Sequence, residues 1–306
     1  MKSFVFLTIG KTQESTEARE FKRYIGVAPS QVLAVNPNKE ELDKIYGSDQ
    51  KEPVYVTEGE RGKEVRVHFI VKTVPEQNNG IEIISRLMFT LRNSPAYNRD
   101  ETKVQVIDDY GNSTWASVED VKAGAKLLSS EGKELKIDTK YRMACDGEAD
   151  LVAFLKLYLG VQDVFNYVNG TWVKKANAED YLFKLEHIKD YFKGDFKELK
   201  DAIALQPNNK VKLLYGVRTA NDENGNPREY QAVASRGDLM LANNAGSNGL
   251  ARLEKNLNNL KSRGSFPTTE FKVQELQEYN VEPTNLEKPA DSDPFGGASS
   301  EELPWN

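Results

Sequence analysis

Few side chains in this 306-residue sequence are spaced for covalent or metal chemistry. Gly10-Lys11-Thr12, after an apolar run, copies the end of a phosphate loop. Val5 stands where that loop needs its first glycine, so no backbone cradle for phosphates is expected. The two histidines, His68 and His187, stand at no ligand spacing, one on a strand-like segment and one on a charged helical face. That placement argues against a metal site or a histidine base. Cys145 is the single cysteine, which excludes an internal disulfide and a multi-cysteine zinc site; its alternating apolar neighbours predict a buried thiol. Asp108-Asp109 reads as a turn former, and Arg236-Gly237-Asp238 as a turn. The expectation is a protein without catalytic residues, cofactor or metal.

Cations interleaved with flat side chains give a stronger pattern. Arg66, Lys72, Arg86 and Arg92 fall on the non-core faces of two neighbouring strand-like segments, and Lys212 and Arg218 do so later in the chain. Tyr24, Tyr97, Tyr110, Trp115, Tyr215 and Tyr230 lie nearby in sequence. Single-stranded nucleic acid needs both components, cations that track the backbone and aromatic faces on which unpaired bases stack, each stacked base contributing about 1–3 kcal/mol. Arg66, Lys72, Arg86, Arg92, Lys212 and Arg218 are therefore expected to line a groove, with Tyr97, Tyr110 and Trp115 as stacking residues. A sheet with a solvated basic face and its aromatics in the core would produce the same pattern.

The elements that must hold these residues are mostly strands. Val65, Val67, Phe69 and Val71 alternate with Arg66, His68 and Lys72. Ile81, Ile83, Leu87, Phe89 and Leu91 likewise oppose Arg86 and Arg92, with turn residues 75–80 between the two runs. These predict an antiparallel hairpin. Further strands are expected over 4–9, 31–35, 134–145, 210–218, 228–235 and 271–276. Hairpins are expected over 103–116, with Tyr110 at the tip, and over 165–173. Asn38 and Glu41 form a capping box for a helix ending at Gly47. Helical periodicity runs from Glu148 to Gly160, from Glu179 to Leu205 with a break at Gly194-Asp195, and from Leu250 to Gly264. The fold class expected is α+β, with a body over 1–280 interrupted by a helical insert at about 148–206. The opening apolar run is too short for a signal peptide, and no stretch could span a bilayer as a helix. A cytoplasmic protein without a membrane partner is expected.

Residues 281–306 differ from the rest in charge. They hold six acids and one base, a net charge of −5 out of −6 for the whole chain, which leaves the first 280 residues at −1. The Gly/Ser/Pro spacing there cannot bury a core, so a disordered tail is expected. It keeps two apolar hooks, Asp293-Pro294-Phe295 and Glu301-Glu302-Leu303-Pro304-Trp305, suited to docking on another protein's basic, apolar pocket.

These endings resemble the C-terminus of single-stranded DNA-binding proteins, which carry an Asp-Pro-Phe-like segment and finish in acids followed by Leu-Pro-Phe or Ile-Pro-Phe. In size and plan the chain is similar to those of large tailed phages, and not to the short bacterial protein. The resemblance implies an elaborated OB-fold-like antiparallel β barrel and a sequence-tolerant DNA groove. It also implies coating of exposed strands in DNA replication, recombination and repair, with tail-mediated recruitment of replication and recombination proteins. A viral origin would place the protein in the host cytoplasm. Two departures stand out. Asn306 follows Trp305, whereas the bacterial family ends on its aromatic residue; and the structural zinc of some phage relatives has no ligands here. A rival of another class stays open, a virion-associated protein adaptor that binds no nucleic acid, and so does a duplex or RNA binder.

Overall fold

The computed structural model describes residues 23–59, 62–73, 82–108, 112–123, 141–159, 165–168, 171–174, 188–221, 224–264 and 269–276. The strand expected over 4–9, the tip residue Tyr110, His187 and the whole tail lie outside them. So do all the expected partner-binding residues, Asp293, Pro294, Phe295, Glu301, Glu302, Leu303, Pro304 and Trp305.

Period-two alternation builds the central hairpin as the sequence predicts. In β3 (Gly62–Thr73) the side chains of Val65, Val67, Phe69 and Val71 are fully buried, and in β4 (Ile84–Pro95) Leu87, Phe89 and Leu91 face the same core. The two strands pair antiparallel, so rungs Glu64–Arg92, Arg66–Thr90, His68–Met88, Ile70–Arg86 and Lys72–Ile84 form the opposite, outer face. β1 (Gly26–Val35) adds to the other edge of β3, with a register shift between Val32 and Ala34. β11 (Val211–Asn221) then pairs with β1, and β12 (Pro227–Val233) with β11. Every neighbour in this series is antiparallel, so β4 and β12 both run parallel to β1. The sheet curls until β12 lies beside β4, with no backbone ladder between them among the described residues. The result is an α+β fold on a curled, partly open antiparallel half-barrel, an OB-like plan.

Helices fill the half-barrel. The insertion between β4 and β11 supplies α3 (Glu148–Tyr158), α4 (Ile188–Tyr191) and α5 (Lys197–Ala204). Phe154 of α3 lies 4.7 Å from Phe69, 5.6 Å from Phe89 and 5.8 Å from Tyr158, ring centre to ring centre. Leu151, Leu155, Tyr191, Leu199 and Ile203 complete this core. A buried leucine or phenylalanine of this kind is stabilised by about 1.5–3 kcal/mol over its exposed state. Gly147 starts α3 at φ 83°, and a Cβ there would sit 2.0 Å from the Thr90 carbonyl, so the helix enters this close to β4 only behind glycine. α6 (Ser247–Ser262) covers a second core through Leu253, Leu257 and Leu260, against Val27, Leu214 and Phe271.

Three expectations change in detail. The single strand over 134–145 is, where described, two short ones, β7 (Tyr141–Met143) and β8 (Cys145–Asp146). Between them Ala144 is buried; its N–H donates to Gln105 and its carbonyl accepts from Ala96, so the chain changes sheets there. β7 joins a small sheet with β5 (Lys103–Asp108) and β6 (Ser113–Ser117), whereas β8 pairs with the end of β4. The last strand shrinks to β14 (Thr269–Phe271), after which Glu275 makes one parallel bridge to Val27. Cys145 is half-buried, and burial beside the Glu148 carboxylate pushes its thiol well above the usual range. The helix break at Gly194 (φ 84°) separates α4 from α5, as expected. The hairpin of β9 (Phe165–Val168) and β10 (Thr171–Lys174) also forms. Among the described residues no helix is long and apolar enough to cross a membrane.

Candidate nucleic-acid interface

The outer face of β3 and β4 forms the floor of an open groove of about 1070 Å³. Its floor carries His68, Ile84, Arg86 and Met88, one wall is Tyr46, and the other is β12 from Pro227 to Val233 with Arg218 and Arg23. Tyr46 ends α1 (Lys39–Tyr46), which the Asn38–Glu41 capping box starts and Gly47, at φ 65°, stops. That helix lies in the long connection from β1 to β3, and the opposite wall belongs to the β11–β12 hairpin. The groove thus sits on the second and third strands of the barrel, between its first connection and its last hairpin.

Charge and flat surfaces meet here. Arg23, Arg86, Arg218 and Arg228 line the groove against one carboxylate, Glu229. The Arg86 guanidinium lies 5.4 Å above the Tyr46 ring and donates to Gln50 Oε1 at 3.4 Å. Tyr230 and Met88 are 38% and 41% exposed. Arg23 pairs with Glu229. The next residue is tied to the same wall: the Tyr24 N–H donates to Gln231 Oε1 at 3.0 Å, and Gln231 Nε2 donates to the Tyr24 and Gly216 carbonyls at 2.8 Å each.

His68 is held by its backbone. Its N–H donates to Asn36 Oδ1 at 2.6 Å and its carbonyl accepts from Asn36 N–H at 2.8 Å, while the Tyr55 ring packs edge-on at 5.2 Å. Burial, with Arg86 and then Arg66 close by, pushes the imidazole down to about 4, so it is neutral near pH 7. It thus adds a polar, uncharged floor.

Of the expected DNA-contacting residues, Arg86 and Arg218 come together in the groove. Arg66 and Arg92 lie further along the same outer face, sharing Glu64 at 3.3 Å each, with Arg92 also 2.7 Å from Asp146. Lys72, at the opposite end, lies 3.0 Å from Glu82. Tyr97 and Trp115 belong to the β5–β6 region, 43% and 45% exposed, and do not line the groove. Lys212 does not line it either. Its ammonium pairs with Glu275 and donates to the Ala245 carbonyl at 2.9 Å, which fixes it within the body. Tyr215 is fully buried and shares a 2.7 Å hydrogen bond with Ser30. Tyr46, Arg23 and Arg228 complete the groove without having stood out in sequence. Tyr46 was legible as the last residue of a capped amphipathic helix; Arg23 carried no local signal, because it reaches the groove through pairing with Glu229 across most of the chain, whereas Arg228 is placed by the local β11–β12 hairpin, opposite Ala220.

No protein-family profile, no curated protein and no solved structure matches this chain.

Proposed function

We propose that the protein is a non-catalytic, sequence-tolerant single-stranded DNA-binding protein, and that the groove over β3, β4 and β12 is its DNA site. One observation carries this reading. The groove unites four guanidinium groups, a single carboxylate and the exposed side chains of Tyr230 and Met88 on the outer face of an OB-like half-barrel. That face, between the first connection and the last hairpin, is where OB-like barrels take up oligonucleotides. Guanidinium groups neutralise phosphates, and Tyr230 and Tyr46 offer faces for bases. The Gln231 amide is already engaged by backbone, and the guanidinium groups, the main donors of the groove, are assigned here to phosphates. Tolerance of sequence follows.

The acidic tail extends the proposal. At net −5 it competes with DNA for the groove and, once displaced, presents Asp293-Pro294-Phe295 and Glu301 to Trp305 to replication or recombination proteins. Titration of the full chain with oligothymidylate at low salt, followed by tryptophan fluorescence or gel shift, tests the reading. Saturable binding that outcompetes duplex and RNA supports it. No response favours the adaptor, and preference for a competitor favours a duplex or RNA binder. Deleting residues 286–306 should tighten DNA binding at low salt and abolish partner recruitment; if both stay unchanged, the tail has neither role.

A further inference from the structure

The outer face of β3 and β4 carries more cations than the groove uses, and their partners divide it into segments. Among the described residues Arg86 and Arg218 have no ion pair, Arg86 resting on Tyr46 and Gln50. At one end of the face Lys72 is matched by Glu82. At the other, Glu64 lies between Arg66 and Arg92, and Asp146 takes a second side of Arg92. A phosphate arriving at either end meets a carboxylate already in place. It would have to break the pair and then sit beside a like charge, whereas at Arg86 it meets neither obstacle.

Resting on the DNA-binding reading above, we infer that Glu64 and Glu82 fence the site, so that it grips a short segment of single strand, of no more than about eight nucleotides. The length follows from the rungs. Between Ile84 and Arg92 the strand advances about 27 Å, at about 3.4 Å per residue. A stacked single strand advancing about 3.4 Å per nucleotide covers that with about eight, and a stretched one with fewer. This lies in the lower half of the roughly 4–16 nucleotides that single OB folds occupy. Charge gives a second measure. With Arg86 and Arg218 each neutralising one phosphate, log K should fall against log salt with a slope of about −1.4. Coating of long DNA would then come from many short grips and not from one long channel.

The test is the salt slope as a function of length, with oligothymidylates of about 4, 8, 12 and 16 nucleotides in excess over the full-length protein. The inference expects the slope to reach about −1.4 by about eight nucleotides and to stay there. A slope that keeps steepening to the longest oligonucleotide overturns it. The Glu64→Gln, Glu82→Gln double variant releases Arg66 and Lys72, while Arg92 stays with Asp146, and its slope on the longest oligonucleotide should steepen by about 0.7 for each phosphate newly neutralised. An unchanged slope, in a variant whose circular dichroism and melting match the parent, also overturns the fence. If the unmodified protein binds no oligonucleotide of any length, the groove reading itself fails, and the fence with it. Binding with a length-independent slope that the double variant leaves unmoved sinks the fence alone.

Discussion

Replacing Arg86 with alanine separates the two things its side chain can do. On the reading proposed above the guanidinium takes a phosphate; in the structure it rests on Tyr46 at 5.4 Å and contacts Gln50. A hydrogen bond to a charged group contributes about 1.5–3 kcal/mol, so losing it should weaken oligothymidylate binding about tenfold to a hundredfold. Removing one of two neutralised phosphates should also flatten the salt slope from about −1.4 to about −0.7. Arg86→Lys keeps the point charge and loses the planar fork and much of the ring contact. It should retain the slope while binding more weakly. The assay is a fluorescence titration repeated at several salt concentrations, with melting curves as a control for folding. An internal check needs no DNA. Arg86 helps hold the His68 imidazole down near 4, so its loss should let that value rise, as an NMR titration would record. If Arg86→Ala weakens binding with the slope unmoved, the residue positions Tyr46 and neutralises no phosphate, and the electrostatic account is wrong.

Other expectations bear on base stacking, pH and the core. Tyr230→Ala should cost about 1–3 kcal/mol of oligothymidylate affinity at constant salt slope, and Tyr230→Phe should cost little; equal losses in both would assign the effect to the hydroxyl. His68 titrates near 4 when folded and near 6.5 when unfolded, so the unfolded chain takes the proton first. Stability is full above the higher value and declines as pH falls toward the lower. At about pH 5, after a discount for partial exposure, the loss is about 1–2 kcal/mol. Urea unfolding at two pH values should show it, and His68→Gln should remove it. Phe154→Ala should cost about 3–5 kcal/mol, since its ring contacts Phe69, Phe89 and Tyr158 at once; a loss below about 1 kcal/mol would mean the insertion is not part of the core.

Local rules made much of the scaffold readable. Strict alternation in β3 and β4 announced which side chains face inward, and the box around Asn38 and Glu41 marked α1 to the residue. Arg86 and Arg218 were legible for the same reason, since a cation on the wrong side of an apolar alternation must face outward. Lys212 obeys that rule in sequence and is nevertheless bound within the body, because Glu275 and the Ala245 carbonyl reach it from distant parts of the chain. Arg23 and the β12 wall meet through contacts 207 residues apart, as between Tyr24 and Gln231, and no periodicity encodes such a meeting. The pairing of outer-face cations with Glu64, Asp146 and Glu82 was equally hidden. It depends on cross-strand register and on the bends that bring β8 against β4.

That no ladder joins β4 to β12 among the described residues has a mechanical consequence. Elsewhere in the half-barrel, changing the distance between neighbouring strands means stretching a row of backbone hydrogen bonds together, which resists opening. Across this join Arg86 and Met88 on one side and Tyr230 and Gln231 on the other line the groove. Side chains change rotamer at far lower cost than a sheet changes spacing. On the reading proposed above, the DNA site therefore lies over a compliant line of the half-barrel. There, purines and pyrimidines, which differ in width, would be taken by the same groove while the laddered strands around it hold their spacing.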